Sequence, residues 1–123
     1  MVGYVTLGTD DLPRAVAFYD ALLGELGAKQ IMNDGRIVIW ARELSGMLAV
    51  CKPYDGAPAT VGNGVMVALA GGDPEGVRRL HARAIELGAR DEGEPGPRGD
   101  SGFYGGYFRD LDGNKLCAFC FGA

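Results

Sequence analysis

The tetrapeptide Glu25-Leu26-Gly27-Ala28 returns as Glu86-Leu87-Gly88-Ala89, an offset of 61 residues. In a chain of 123 residues, that period means two copies of one structural unit. The same signals precede both copies. Asp10-Asp11-Leu12-Pro13 lies before the first, and Asp73-Pro74-Glu75 before the second. An aspartate can cap a helix start with its carboxylate, and a proline fits the first turn, where its missing N–H does no harm. Leu12, Val16, Tyr19, Leu23 and Leu26 then follow steps of four and three, one face of a helix. Val77, Leu80, Ala84 and Leu87 do the same in the second copy. Gly24 or Gly27 supplies the left-handed stop of the first helix and Gly88 that of the second.

Strand signals surround both helices. An apolar segment precedes each, Tyr4 to Leu7 and Val65 to Ala70. Three short apolar segments follow each, near 29–32, 36–42 and 47–52, then near 90–94, 103–109 and 115–121. Asn33-Asp34-Gly35 and Leu44-Ser45-Gly46 separate the first set, and Asp110-Leu111-Asp112-Gly113-Asn114 makes the last turn. Asp-Gly between apolar runs is a strong hairpin signal. The order is βαβββ twice, an α+β chain. It reads as a single domain with module one at about 1–53, a linker at about 54–62 and module two at about 63–123. A small sheet with one helix leaves its other face bare, and the opposite half is the expected cover.

Composition narrows the function classes. The 21 glycines sit singly or in pairs between apolar runs, as many tight turns require. The formal net charge is −4 and the twelve Lys and Arg are scattered, which argues against nucleic-acid binding. No apolar run nears the ~20 residues that span a bilayer, so no membrane role is expected. Met1 to Leu7 lacks a charged n-region and reads as a strand, not as a signal peptide. Cys51, Cys117 and Cys120 cannot all pair within one chain, and reduced thiols in the cytoplasm are the expectation.

Three stretches carry a resemblance. They are Tyr4-Val5-Thr6-Leu7-Gly8-Thr9-Asp10-Asp11-Leu12-Pro13-Arg14-Ala15-Val16-Ala17-Phe18-Tyr19, Gly62-Asn63-Gly64-Val65-Met66-Val67-Ala68, and Tyr107-Phe108-Arg109-Asp110-Leu111-Asp112-Gly113-Asn114-Lys115-Leu116. With the repeat, they resemble the vicinal oxygen chelate superfamily, the glyoxalase, bleomycin-resistance and extradiol-dioxygenase group. The resemblance implies a cupped mixed sheet made of two βαβββ modules, with helices on the convex side and a ligand cavity on the concave side. It also implies a homodimer, since in many members modules from two subunits share a cavity. In metal-dependent members it implies a divalent ion held by His, Glu or Gln, which polarises two substrate oxygens.

By that resemblance the ligand positions fall on Tyr4, on Ala49 with Cys51 two residues on, on Met66 and on Cys117. Ni, Mn, Fe and Mg sites of this kind use imidazole and carboxylate, whereas Met and Cys are soft ligands. These residues therefore read as cavity lining, and no cofactor is expected. A soft-metal or thiol-reactive site is one other reading; a divalent metal held by other residues is a second. Strand alternation sends Tyr4, Thr6, Ala49, Cys51, Met66, Ala68, Cys117, Phe119 and Phe121 toward the cavity. Val5, Leu7, Leu48, Val50, Leu116, Ala118 and Cys120 go to the helix side.

Aromatic residues gather at Phe103, Tyr104, Tyr107 and Phe108, with Trp40 in the other half. They suit either core packing or a pocket for a planar apolar molecule. The candidate ligand-binding residues are Tyr4, Thr6, Trp40, Ala49, Cys51, Met66, Tyr104, Tyr107, Cys117 and Phe119. His81, the single histidine, reads as a helix-surface residue, and it leaves neither a His-rich metal site nor a Ser-His-Asp triad. Gly93 to Gly102 reads as a Gly/Pro-rich loop over the cavity mouth, with Arg98 a solvated charge or an anion partner. Cys51 and Cys117 show no flanking cation and read as structural thiols.

The expected function is binding of a small apolar or aromatic molecule in the concave cavity, with the family's metal ligands replaced. The alternative is a metal-dependent lyase, isomerase or dioxygenase of the glyoxalase type, using substitute ligands or a partner chain. A domain that keeps only interactions is the third reading.

Overall fold

The computed structural model describes residues 1–122. Two compact units divide the chain, Met1–Val61 and a second beginning at Gly62. Unit one runs β1 (Tyr4–Gly8), α1 (Leu12–Gly24), β2 (Lys29–Asn33), β3 (Ile37–Ala41) and β4 (Met47–Cys51). Unit two runs β5 (Val67–Ala70), α2 (Pro74–Glu86), β6 (Arg90–Pro97), β7 (Tyr104–Arg109) and β8 (Lys115–Cys120). Each unit is thus a βαβββ module with one four-stranded mixed sheet, in the orders β1-β4-β3-β2 and β5-β8-β7-β6. In each, the first strand pairs in parallel with the last, and the other pairs are antiparallel.

The helices begin where the aspartates and prolines dictate. The Asp11 carboxylate accepts the Arg14 N–H at 3.1 Å, and the Asp73 carboxylate accepts the Gly76 N–H at 2.7 Å. Both helices carry proline in the first turn. Gly27 and Gly88 follow the helix ends with positive φ, the left-handed stop that the sequence requires.

The buried stripe of α1 is Leu12, Ala15, Phe18, Tyr19, Leu22 and Leu23. Val16 and Leu26, expected on that stripe, are only half-buried. The four-and-three stepping caught one edge of a broader stripe. In α2, His81 joins Val77, Leu80 and Ala84 among the buried residues, which corrects its reading as a surface histidine. Its Nε2 lies 3.2 Å from both Asp91 Oδ1 and the Tyr107 carbonyl, and its ring meets Phe108 edge-on. Those partners on β6 and β7 make burial of the imidazole tolerable.

Strand ends differ from the expectation in unit two. The segment 93–97, expected as loop, continues β6 to Pro97. Its pairing with β7 shifts register between Asp91 and Gly93 and between Gly93 and Gly96. Irregular pairing at an edge strand is where proline and glycine are tolerated. Met66 precedes β5, which starts at Val67. The last turn is closed by Asp110, whose Oδ1 accepts the N–H groups of Asp112 and Asn114, both at 2.9 Å. Asp110 Oδ2 also accepts from Asn114 Nδ2 at 3.0 Å, and both residues are buried.

Candidate functional site

Helix α2 packs on β6, β7 and β8, so the second sheet has one covered and one helix-free face. Pairing fixes which residues share each. Gly105 opposes Phe119, Tyr107 opposes Cys117 and Arg109 opposes Lys115. Since Phe108 and His81 touch on the helix side, alternation puts Gly105, Tyr107 and Arg109 on the other side. Cys117, Phe119 and Lys115 join them by register, as does Ala68 opposite Cys117.

This helix-free face is aromatic. The rings of Phe103 and Phe119 stack at 5.8 Å with 6° between planes. Phe121 meets both edge-on, at 5.4 Å from Phe103 and 5.8 Å from Phe119. Phe103 and Phe119 are half-buried, and Phe121 is 66% exposed. A Cβ at Gly105 would stand 2.7 Å from the Phe103 ring and 3.3 Å from Cys117 Sγ. Glycine there is what lets the ring lie down on the sheet.

Cations border the aromatic group. The Arg98 guanidinium carbon sits 5.3 Å from the Tyr107 ring centre, and Lys115 Nζ sits 5.5 Å from it. Cys117, fully buried, lies between these groups and the phenylalanines. Burial pushes its thiol pKa up, while Arg98, Lys115 and a side-chain hydrogen bond with Tyr107 pull down less strongly. Cys117 is therefore a neutral thiol at pH 7. The expectation of no flanking cation is corrected, because Lys115 lies two residues away on the same face. The structural-thiol reading of Cys117 nonetheless fits this chemistry.

In unit one the helix-free face is aliphatic. Ile37, Ile39 and Ala49 form a buried cluster, with Met47 and Cys51 packed against it. Tyr4 pairs with Met47, Thr6 with Ala49 and Gly8 with Cys51, so Tyr4 and Thr6 lie on this face. Tyr4 is 52% exposed.

Two of the expected ligand-binding residues are corrected. Trp40 is fully buried on the helix side, where its Nε1–H donates to Asp20 Oδ1 of α1 at 2.8 Å and its ring lies 5.8 Å from Tyr19. Its indole needed both a polar partner and an apolar cover, and α1 supplies the two together. Tyr104 also lies on the helix side, its hydroxyl accepting from Arg78 of α2 at 3.0 Å. It stands an odd number of residues from Tyr107, so the two cannot share a face of β7. The structure brings Tyr107, Cys117 and Phe119 together in unit two. It places Tyr4, Thr6, Ala49 and Cys51 on one face in unit one, and Met66, 42% exposed, ahead of β5.

Three participants were missed in the sequence. Phe103 was read as an aromatic but not as a site residue, although alternation within the expected 103–109 segment puts it on the face of Tyr107. Lys115 was legible from its spacing to Cys117. Gly105 carried no local signal. A separate cleft of about 650 Å³ in unit one is bordered by Thr9, Asp10, Arg36, Lys52 and Tyr54. There Arg36 lies 5.4 Å from the Tyr54 ring centre, and its Nη1 donates to the Lys52 carbonyl at 2.8 Å.

Comparison with known proteins settles the lineage. The family model for the glyoxalase/bleomycin resistance protein/dioxygenase superfamily matches residues 1–118. The chain belongs to that superfamily. A glyoxalase/bleomycin resistance protein from Albidiferax ferrireducens T118 is 38% identical over 97% of each chain, with a TM-score of 0.87. A hypothetical protein from S. aureus is 26% identical over 97% of this chain and 91% of that one, with a TM-score of 0.73. A lactoylglutathione lyase from Agrobacterium tumefaciens is 22% identical over 97% of this chain and 92% of its own, with a TM-score of 0.71, a likeness of fold. No curated protein matches.

Within this glyoxalase-type superfamily the metal positions can be tested by donor chemistry. Ala49 has no donor atom. Cys117 offers a soft sulfur donor, and burial raises its thiol pKa. Met66 offers only a thioether. No group of three or more His, Cys, Asp or Glu fit to hold an ion occurs among the described residues. His81 is held by Asp91 and Tyr107 under α2. These side chains do not fit a hard divalent ion. No helix of the described residues is long and apolar enough to cross a membrane.

Proposed function

We propose that this superfamily member binds a small apolar or aromatic molecule on the helix-free face of its second sheet, without a divalent metal at the family's ligand positions. The observation that carries the reading is the Phe103, Phe119 and Phe121 group, partly exposed and seated against Gly105. Aromatic side chains on a strand are ordinarily covered, and here α2 covers the other face. Stacked and edge-on rings recognise another planar ring at little entropic cost. The same reading makes the protein a cytoplasmic homodimer. Three unpaired cysteines favour a reducing compartment. Exposed Val2, Val5, Ile31 and Met32 at the edges of the first sheet favour a partner there.

Titration calorimetry with 2-naphthamide tests the binding. The expected result is saturable binding that Phe119→Ala weakens about tenfold, the loss of roughly 1.5 kcal/mol of apolar contact. Binding untouched by that change contradicts the reading. Elemental analysis tests the metal statement, since one equivalent of Ni, Mn, Fe or Zn per chain contradicts it and favours a metal-dependent lyase, isomerase or dioxygenase. Sedimentation as a monomer contradicts the dimer.

A further inference from the structure

We infer that the molecule bound on the second sheet carries a negative charge, as an aromatic carboxylate does, and that Arg98 and Lys115 receive it; this rests on the aromatic-site reading. Two backbone carbonyls hold Arg98. Its Nη2 donates to the Glu94 carbonyl at 2.6 Å and its Nη1 to the Pro97 carbonyl at 3.3 Å. The side chain therefore folds back along β6 instead of reaching into solvent. Two glycines clear its path. A Cβ at Gly96 would stand 3.1 Å from Nη1, and one at Gly93 would stand 3.4 Å from Nη2 and 3.2 Å from the Tyr107 ring. The run Gly93-Glu94-Pro95-Gly96-Pro97-Arg98 is thus a seat for one guanidinium over one phenol ring.

A charge seated this way is preorganised, and its remaining N–H groups are available to a ligand. Its hydrogen bonds go to backbone carbonyls, and no carboxylate forms an ion pair with Arg98 or with Lys115 among the described residues. Glu92, a carboxylate within electrostatic reach of Lys115, is committed to Arg109 at 2.7 Å. Glu92 feels Arg109 first, with Arg90 and Lys115 as weaker influences. Tyr107 touches both cations, opposes Cys117 in register and lies two residue pairs from the opposition of Gly105 and Phe119, the next pair on the same face. The cationic end and the aromatic end are therefore neighbours on one face. A planar ring on the phenylalanines with a carboxylate toward Tyr107 would satisfy both, and charge-assisted bonds to a guanidinium favour that geometry.

The test compares 2-naphthoate with neutral 2-naphthamide by calorimetry at low salt, on the intact protein and on Arg98→Gln, Lys115→Gln and Phe119→Ala. The carboxylate should bind about tenfold more tightly than the amide, the usual strength of a hydrogen bond to a charged group. Arg98→Gln should erase that advantage, so that the two probes bind alike, and Lys115→Gln should reduce it. Added salt should weaken the carboxylate alone in the unaltered protein, which keeps the test decisive if a variant fails to fold. Equal affinity for the two probes, lost together in Phe119→Ala, overturns the charge assignment and leaves the aromatic site standing. Neither probe binding at millimolar concentration, or binding indifferent to Phe119→Ala, overturns both.

Discussion

The two halves share one topology and use their aromatic residues in opposite ways. In unit one Phe18, Tyr19 and Trp40 are all buried between α1 and its sheet, and the helix-free face carries Ile37, Ile39 and Ala49, with Tyr4 exposed on its edge strand. In unit two the helix side is filled by Val77, Leu80, Ala84, His81 and Phe108, and the helix-free face carries Phe103, Phe119 and Phe121. On the proposed reading, the duplicated fold separates two tasks. Aromatic area under a helix contributes stability, whereas aromatic area on the open side of a sheet is available to a ligand. The difference shows why aromatic content alone did not locate the site.

The largest expected effect breaks this comparison if it fails. Trp40→Ala should cost about 3–5 kcal/mol in urea unfolding, as removal of a fully buried aromatic does. Phe119→Ala, half-exposed, should cost at most about 1–2 kcal/mol there while weakening 2-naphthamide binding. Similar stability losses for both would remove the contrast. A smaller change sharpens it from the polar side. The Asp20 carboxylate accepts from Trp40 Nε1 and from Gln30 Nε2, each at 2.8 Å. Asp20→Ala leaves a buried indole N–H unpaired and should lower stability by about 1–3 kcal/mol, read in the same unfolding experiment.

Thiol chemistry gives a third comparison between the halves. Cys51 is half-buried in unit one and Cys117 is fully buried in unit two. Iodoacetamide at pH 8 should label Cys51 well before Cys117, as peptide mass mapping would show. The sign of the linked pH effect follows from the raised pKa of Cys117. An acid harder to ionise when folded supports the fold fully below its unfolded pKa, near 8.5 for a free thiol. That support is lost as pH rises toward the folded value. Cys117→Ala should therefore flatten the alkaline limb of the stability–pH curve. The smallest effect is at the helix starts. Asp73→Ala should cost about 1 kcal/mol of stability through loss of the cap on Gly76.

Much of the architecture was legible because its signals are local. Asp11 with Pro13, Asp73 with Pro74, and the glycines after each helix fix ends without help from the rest of the chain. Alternation likewise put Cys117 and Phe119 on one side of β8 and Leu116 and Ala118 on the other. The misreadings share a physical origin in partners far along the chain. Trp40 went to the helix side because Asp20 lies there, and Tyr104 because Arg78 lies there. His81 is buried because Asp91 and the Tyr107 carbonyl receive it. Strand β6 reached Pro97 because an irregular ladder accepts prolines that a regular one would reject. The arginine seat depends on Gly93 and Gly96 meeting a side chain that folds backward, which no periodicity reveals.

An amide-resolved NMR titration with 2-naphthoate tests the central claim most directly. Shifts concentrated at Gly105, Tyr107, Cys117 and Phe119, with unit one's Thr9, Arg36, Lys52 and Tyr54 still, are the predicted result. Shifts confined to that cleft in unit one, with the second sheet silent, would contradict it.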